Sequence, residues 1–521
     1  MLKPTLRKPG DLTAAKAFLV SWLCLSLLSV LWSLATPISA APDEPAHIVK
    51  AAAVVRGEFV GDLSDFGNYA NVPSYIAWTN NQTCYARLPA ITASCIRGVS
   101  GEPFRTVQST TTAGQYNPVY YMLVGWPSLI FHNSAGVFAI RFLSGILSSF
   151  FLALAVAMVS TWRKRALPLA ALLMAITPMV LFLNGVVNPN SLEIAGTLAT
   201  FVGMMSLVSF PDRTRLVPRV AIIIVSASIA VNTRALSPVW VAVALVAPVL
   251  LIEGKALLDL LKTRVVKLGI AIIGASTTLA GLWMILASVL SVRALDPGKT
   301  PAAIYPNTGS SPLTGFALMI IRSGEQFNGM IGYFGWIDTA APVAVYVVWY
   351  VMVALLIFAS LVLFRARVRR FALALLAVFV FFPAIAQGLY IHVGGFIWQG
   401  RYTLPLFSIL IVGLATALAP YVAGQRLLSS RRILVAVLAV WGAAQVACFI
   451  VVLRRYVVGI DHDIVEMLID PRWQPPGGVV VLVAMFTFVT VSTIIFGLRW
   501  RPDESDQPLD ARIRTLRRAT R

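Results

Sequence analysis

The chain is poor in charge. Only 12% of its 521 residues are Asp, Glu, Lys or Arg, and acids are scarcer than bases, 22 against 42. Two or three soluble domains of this length would need many more charged residues on their surfaces, so that organisation is excluded. Cysteine is rare, with four residues, and none form a Cys-x-x-Cys pair. A complete Gly-x-x-x-x-Gly-Lys-Ser/Thr phosphate-binding loop, a Rossmann glycine fingerprint and a His-Glu-x-x-His pair are also missing. These absences argue against an ATP-driven pump and a zinc protease. No low-complexity linker divides the chain, which fits one membrane domain.

Apolar sequence fills the space that charge leaves. Hydrophobic residues make up 58% of the chain, and the mean hydropathy is +0.80. Runs of about 17–25 apolar residues, each able to cross a bilayer, recur roughly twelve times. They lie near 16–36, 137–160, 167–187, 191–210, 217–232, 236–252, 268–291, 341–364, 371–391, 403–422, 433–453 and 479–498. Pro178, Pro248 and Pro383 fall inside them, as neighbouring helices allow. The expected fold class is an all-α polytopic membrane protein.

The bases cluster in short runs between spans. With the N-terminus inside, 28 of the 42 Lys and Arg but only 8 of the 22 acids fall on one face. The whole formal charge of +20 then sits there, as the positive-inside rule expects. This predicts a cytoplasmic N-terminus over 1–16, a membrane domain over 17–498 and a basic cytoplasmic tail over 499–521. Outer loops are expected at about 37–136, 292–340, 392–402 and 454–478. The basic pI near 10.2 is thus a topology signal and does not point to nucleic acid.

The apolar segment from Asn117 to Phe131 is short for a span, and crossing there would put Arg163, Lys164 and Arg165 outside. It is read as an interfacial or re-entrant helix, with Tyr120, Tyr121 and Trp126 suited to an interface. The first span reads as an uncleaved anchor, because Pro42 directly follows Ala41. Cys84 and Cys95 share the first outer loop and pair as a disulfide if that side is oxidising; two free thiols are the alternative.

The irregular sequence, and all four histidines (His47, His132, His392, His462), fall on the outer side, where chemistry is therefore sought. Pro42-Asp43-Glu44-Pro45-Ala46-His47 follows the first span. Helical spacing lets Asp43, Glu44 and His47 converge, as a catalytic group or as ligands of a divalent cation. The plainer reading is an acidic helix cap with a surface His. The following run, with Ile48, Ala52 and Val55 on one face and Lys50 and Arg56 towards another, reads as a helix lying on the membrane surface. Trp398-Gln399-Gly400-Arg401-Tyr402 offers a guanidinium suited to a phosphate, with hydrogen bonds from Gln399 and Tyr402. Its plainer reading is a snorkelling anchor. Gln326 to Asp338 places Asn328, Trp336 and Asp338 in a glycine- and aromatic-rich segment that could hold a sugar or form an interfacial belt. Arg234, Glu193 and Asn188 to Asn190 are weaker candidates, Asn190 or Ser191 being able simply to cap the next helix.

Pro42 to His47, Asn188-Pro189-Asn190, Gly332 to Asp338 and Gln399 to Tyr402 with Leu404-Pro405 resemble a family of bacterial polytopic proteins, domain of unknown function 2142. The resemblance covers roughly 15–500, its first and last motifs being the most specific. The layout is also similar to the GT-C class of membrane glycosyltransferases, where an acidic residue follows the first span, short juxtamembrane helices come next, and an Arg such as Arg141 opens a later span. The resemblance implies a bacterial cell membrane and a polyprenyl-phosphate sugar donor. It also implies Asp43 as the catalytic carboxylate, Glu44 as its neighbour or a metal ligand, and Arg401 as a phosphate contact.

Three functions follow. The first is an inverting glycosyltransferase acting on an envelope glycan or protein acceptor. The second is a transporter or flippase of lipid-linked sugar or polymer, against which the lack of mid-membrane charge counts. The third is a non-catalytic partner in envelope assembly.

Overall fold

A computed structural model describes residues 13–64, 67–99, 102–287, 306–422 and 430–499. Residues 1–12, 65–66, 100–101, 288–305, 423–429 and 500–521, which include the end of the expected span 268–291 and the expected basic tail, lie outside the described residues. Among the described residues nine helices are long and apolar enough to cross a membrane. A tenth span results if Ala166–Ala175 and Pro178–Asn184, bent by 61°, count as one. The break falls where Thr177 caps the second half and Pro178 occupies its first turn. Among the described residues each expected run is helical or, over 167–187, a broken helix pair, but Leu216–Ala230 and Ser237–Leu251 are shorter than a full crossing needs.

The core is built around the first span, Ala14–Ala35, which packs along Ser134–Ser160. Gly145 permits close approach: a Cβ there would lie 2.9 Å from Ser29 Cβ. Trp32 is fully buried, with the rings of Phe182, Phe334, Phe449 and Phe486 around it. The helix Gly400–Val422 is also mostly buried, packed among Ala166–Ala175, Pro189–Val208 and Ala366–Gly394.

The segment 117–131 forms no helix long enough to cross a membrane. It folds as a short helix, Val119–Gly125, and a 3-10 turn, Trp126–Leu129. Tyr120 and Tyr121 are buried beneath it, while Met122, Trp126 and Ile130 stay exposed.

The first outer loop is a small folded unit. Strands Asp62–Ser64, Gly67–Pro73 and Thr106–Thr111 form an antiparallel sheet in that order, with Tyr69 opposite Asp62 on one side and Thr110 on the other. A disulfide joins Cys84 to Cys95. The helix Glu44–Val54 does not lie on a membrane surface, as its pattern suggested. Every residue of it is buried, packed against Val119–Gly125 and the sheet. Its polar side chains are satisfied internally. Lys50 Nζ donates to the carbonyls of Phe59 and Gly114, and Arg56 binds Ala52 O and Ser128.

Candidate functional site

The helix Glu44–Val54 begins with a backbone reversal. Asp43 sits at its N-cap with φ +66°, in the left-handed region, and its side chain makes no capping hydrogen bond. The capping reading therefore fails for Asp43. Asp tolerates this conformation better than most residues, at a cost of roughly 1–2 kcal/mol. The two adjacent carboxylates then point to different cations.

Glu44 turns inward. Its Oε1 and Oε2 each accept from Arg141 at 2.7 Å, with both side chains fully buried. Arg141 also donates to the carbonyls of Ser33, Thr36 and Pro37, and Val187 N donates to Glu44 Oε1. With both oxygens engaged and no solvent access, Glu44 is corrected from a catalytic or metal-binding group to a structural one. Together with Arg141 it ties the end of the first span to the start of the outer loop.

Asp43 turns outward. Its Oδ2 accepts from Arg401 Nη2 at 2.6 Å, and its side chain is 49% exposed, opening into a cavity of about 1290 Å³. Oδ1 makes no hydrogen bond among the described residues. Burial by surrounding protein raises its pKa, but the charges near it, Arg401 foremost and Arg234 further off, outweigh that and hold it below the ordinary carboxylate value.

Arg401 is presented by a close glycine contact. A Cβ on Gly400 would fall 2.2 Å from Gln326 O and 2.8 Å from Gly329 Cα, so only glycine lets Ser323–Gly332 seat against the start of Gly400–Val422. Arg401 is 2% exposed, and among the described residues its Nε and Nη1 have no partner. Its Nη2 also reaches Tyr402 Oη at 3.3 Å. The Tyr402 ring lies 4.5 Å from the Arg234 guanidinium, whose Nη1 is 3.6 Å from buried Glu193. A chain of contacts thus runs from Glu193 through Arg234, Tyr402 and Arg401 to Asp43.

The other expected residues separate. His47, Asn328, Trp336, Gln399 and Tyr402 line the same large cavity. His47 Nδ1 pairs with Tyr121 Oη at 2.8 Å. Burial, first of all, drives its pKa down to about 3, against the pull of Asp43, so it is neutral at physiological pH. Trp336 Nε1 donates to Ser39 O at 2.9 Å. The carboxylate oxygens of Asp338 accept from Arg455 Nη2, Arg87 N and Thr339 Oγ1, which makes it a clamp between the outer loop and the helix Ser430–Val457. Asp43, Glu44 and His47 do not converge on a shared ligand position. Among the described residues no three His, Cys, Asp or Glu side chains could hold a metal ion. The expected ligand set is therefore withdrawn, because each of its members is turned to a different partner.

Several site residues carried little or no signal. Arg234 reaches the site from a turn between two short helices. Arg87, Tyr116, Arg322 and Glu325 also line the large cavity. Four Arg residues near Asp43 and Glu325 leave the region net positive, suited to an anion. Asn188 caps the helix Pro189–Val208 through its own side chain, a role assigned to Asn190 or Ser191 from the sequence.

The architecture is that of a polytopic helical membrane protein with a folded loop unit beside a charged cavity. The chain belongs to the family of predicted membrane proteins known as domain of unknown function 2142, whose model matches residues 25–410. That span includes both Asp43 and Arg401. No curated protein matches the chain.

Proposed function

We propose that the protein is an inverting glycosyltransferase of the bacterial cell membrane, with both termini in the cytoplasm, using a polyprenyl-phosphate sugar donor at the outer face. The observation that carries this reading is the Asp43–Arg401 pair, one base and one phosphate-binding cation meeting in a single cavity that borders the membrane spans.

In the reaction the acceptor oxygen attacks the anomeric carbon and forms the new glycosidic bond. The bond from that carbon to the phosphate oxygen breaks, and the polyprenyl phosphate leaves with the electron pair. The acceptor proton passes to Asp43 Oδ1. A general base of this kind contributes about 10²–10⁴-fold. Arg401 has unpaired nitrogens to offer the phosphate, and it stabilises the charge that builds there. Donor binding draws Arg401 from Asp43 and so restores basicity to the carboxylate.

The test replaces Asp43 by Asn in the native host. Envelope glycans should lose one sugar and the lipid-linked donor should accumulate, at normal protein levels. Unchanged glycans at normal levels would remove the catalytic role.

A further inference from the structure

A second, smaller cavity of about 590 Å³ adjoins the large one. The two share Asp43, Arg87, Tyr333, Trp336, Ile337 and Gln399. They differ in what else surrounds them. The large cavity also touches residues of the spans, among them Tyr346, Tyr390, Arg401 and Tyr402, and the apolar groups Phe396 and Ile397. The small one adds only Pro42, Pro89 and Asp338, so every residue that lines it lies outside the spans. One cavity is lined in part by the spans, and the other only by residues between them.

Resting on the glycosyltransferase reading, we propose that the small cavity is the acceptor site and that the acceptor is a water-borne glycan. It reaches Asp43 from the side of the small cavity, which adjoins the one that holds the lipid donor. Its walls suit a sugar. Trp336 is fixed by its bond to Ser39 O, and Tyr333 is 38% exposed. Weakly positive C–H faces of a pyranose pack on such rings, while Arg87 and Gln399 supply hydrogen bonds to hydroxyls. The wall is also held in a costly shape. Ile337 has φ +59°, an outlier for a β-branched residue, and Asp43 opposite it is left-handed too. Such strain at two residues of one cavity fits a surface shaped for a ligand.

The site explains why Asp43 has one oxygen on Arg401 and one free. The donor phosphate approaches the Arg401 side, and the acceptor hydroxyl meets Oδ1.

The test uses the full-length protein in detergent. Undecaprenyl phosphate binding is read by native mass spectrometry, and glycan binding on an array of defined oligosaccharides. Pro89→Trp fills only the small cavity and removes no backbone donor, because Pro has none. Trp336→Ala removes the platform, and Tyr333→Ala does so at an exposed position, with thermal unfolding checked for all three. Wild type should bind both probes. Pro89→Trp should lose at least 5-fold in glycan binding and stay within 2-fold for undecaprenyl phosphate, Tyr333→Ala and Trp336→Ala should lose glycan binding at least 5-fold, and Arg401→Gln should lose undecaprenyl phosphate binding and keep glycan binding. No glycan binding by wild type, or equal loss of both probes in Pro89→Trp, overturns the proposal. Glycan binding without undecaprenyl phosphate binding would instead leave the small site standing and remove the lipid-donor reading.

Discussion

Arg401 Nη2 lies 2.6 Å from Asp43 Oδ2, across 358 positions of sequence. The pair joins the first outer loop to the start of a buried span, and so makes one site from two distant motifs. It also divides the neighbouring carboxylates: Asp43 serves the cavity and Glu44 the fold.

That division predicts opposite phenotypes for adjacent substitutions. Glu44→Gln leaves Arg141 buried without its charge partner, a loss of about 3–5 kcal/mol. Folded yield in detergent should fall sharply. The double variant Glu44→Gln, Arg141→Met should recover part of it. Asp43→Asn should keep normal yield and melting temperature and lose activity. Size-exclusion profiles and thermal unfolding of the three variants check this.

Gly400 should be as intolerant as Arg401. The methyl of Gly400→Ala would sit 2.2 Å from Gln326 O, so the Ser323–Gly332 helix must shift, at a cost of about 1–3 kcal/mol. Transfer activity should fall although Arg401 is intact, because its head no longer meets Asp43. Comparison with Gly274→Ala, where the new methyl meets nothing, provides the control.

His47 should not act as a titrating catalyst. Its folded pKa is depressed to about 3, so the unfolded chain binds more protons below the ordinary His value near 6.5. Its contribution to stability is therefore full above about pH 6.5 and is lost as pH falls towards 3. Between pH 7 and 4 the wild type should lose melting temperature faster than His47→Asn. Over pH 5–8 the activity profiles of the two should share the same shape.

The Cys84–Cys95 bridge should steady the loop that carries Arg87 and Pro89. Its removal in the Cys84→Ser, Cys95→Ser protein should cost about 2–3 kcal/mol of local stability. Limited proteolysis should then cut within residues 84–99 faster than in wild type, with the spans intact.

Much of this was legible in the sequence. Nine of the twelve expected runs, or ten with the bent pair, are span-length helices among the described residues, and the weak apolar stretch around Tyr120 stayed out of the set of spans. The motifs around Asp43 and Arg401 stood out because charge is so rare in the chain. Which of Asp43 and Glu44 faces the cavity was not legible, because it depends on one left-handed residue. The burial of Glu44–Val54 was hidden for a related reason: Lys50 and Arg56 look like surface residues until loop carbonyls are known to receive them. Arg234 ranked only as a weak candidate because tertiary packing alone brings its turn beside Tyr402. The outer sheet was missed because its strands are short and polar, as Thr106–Thr111 illustrates.

The most direct test is release of polyprenyl phosphate in proteoliposomes that carry the purified protein and total lipid from the native host. Wild type should liberate free polyprenyl phosphate from endogenous lipid-linked sugar once host envelope glycan is added. Asp43→Asn, folded equally well, should be slower by about 10²–10⁴-fold. Equal release by the two proteins would contradict Asp43 as the base and, with it, the account of the Asp43–Arg401 pair as a glycosyl-transfer site.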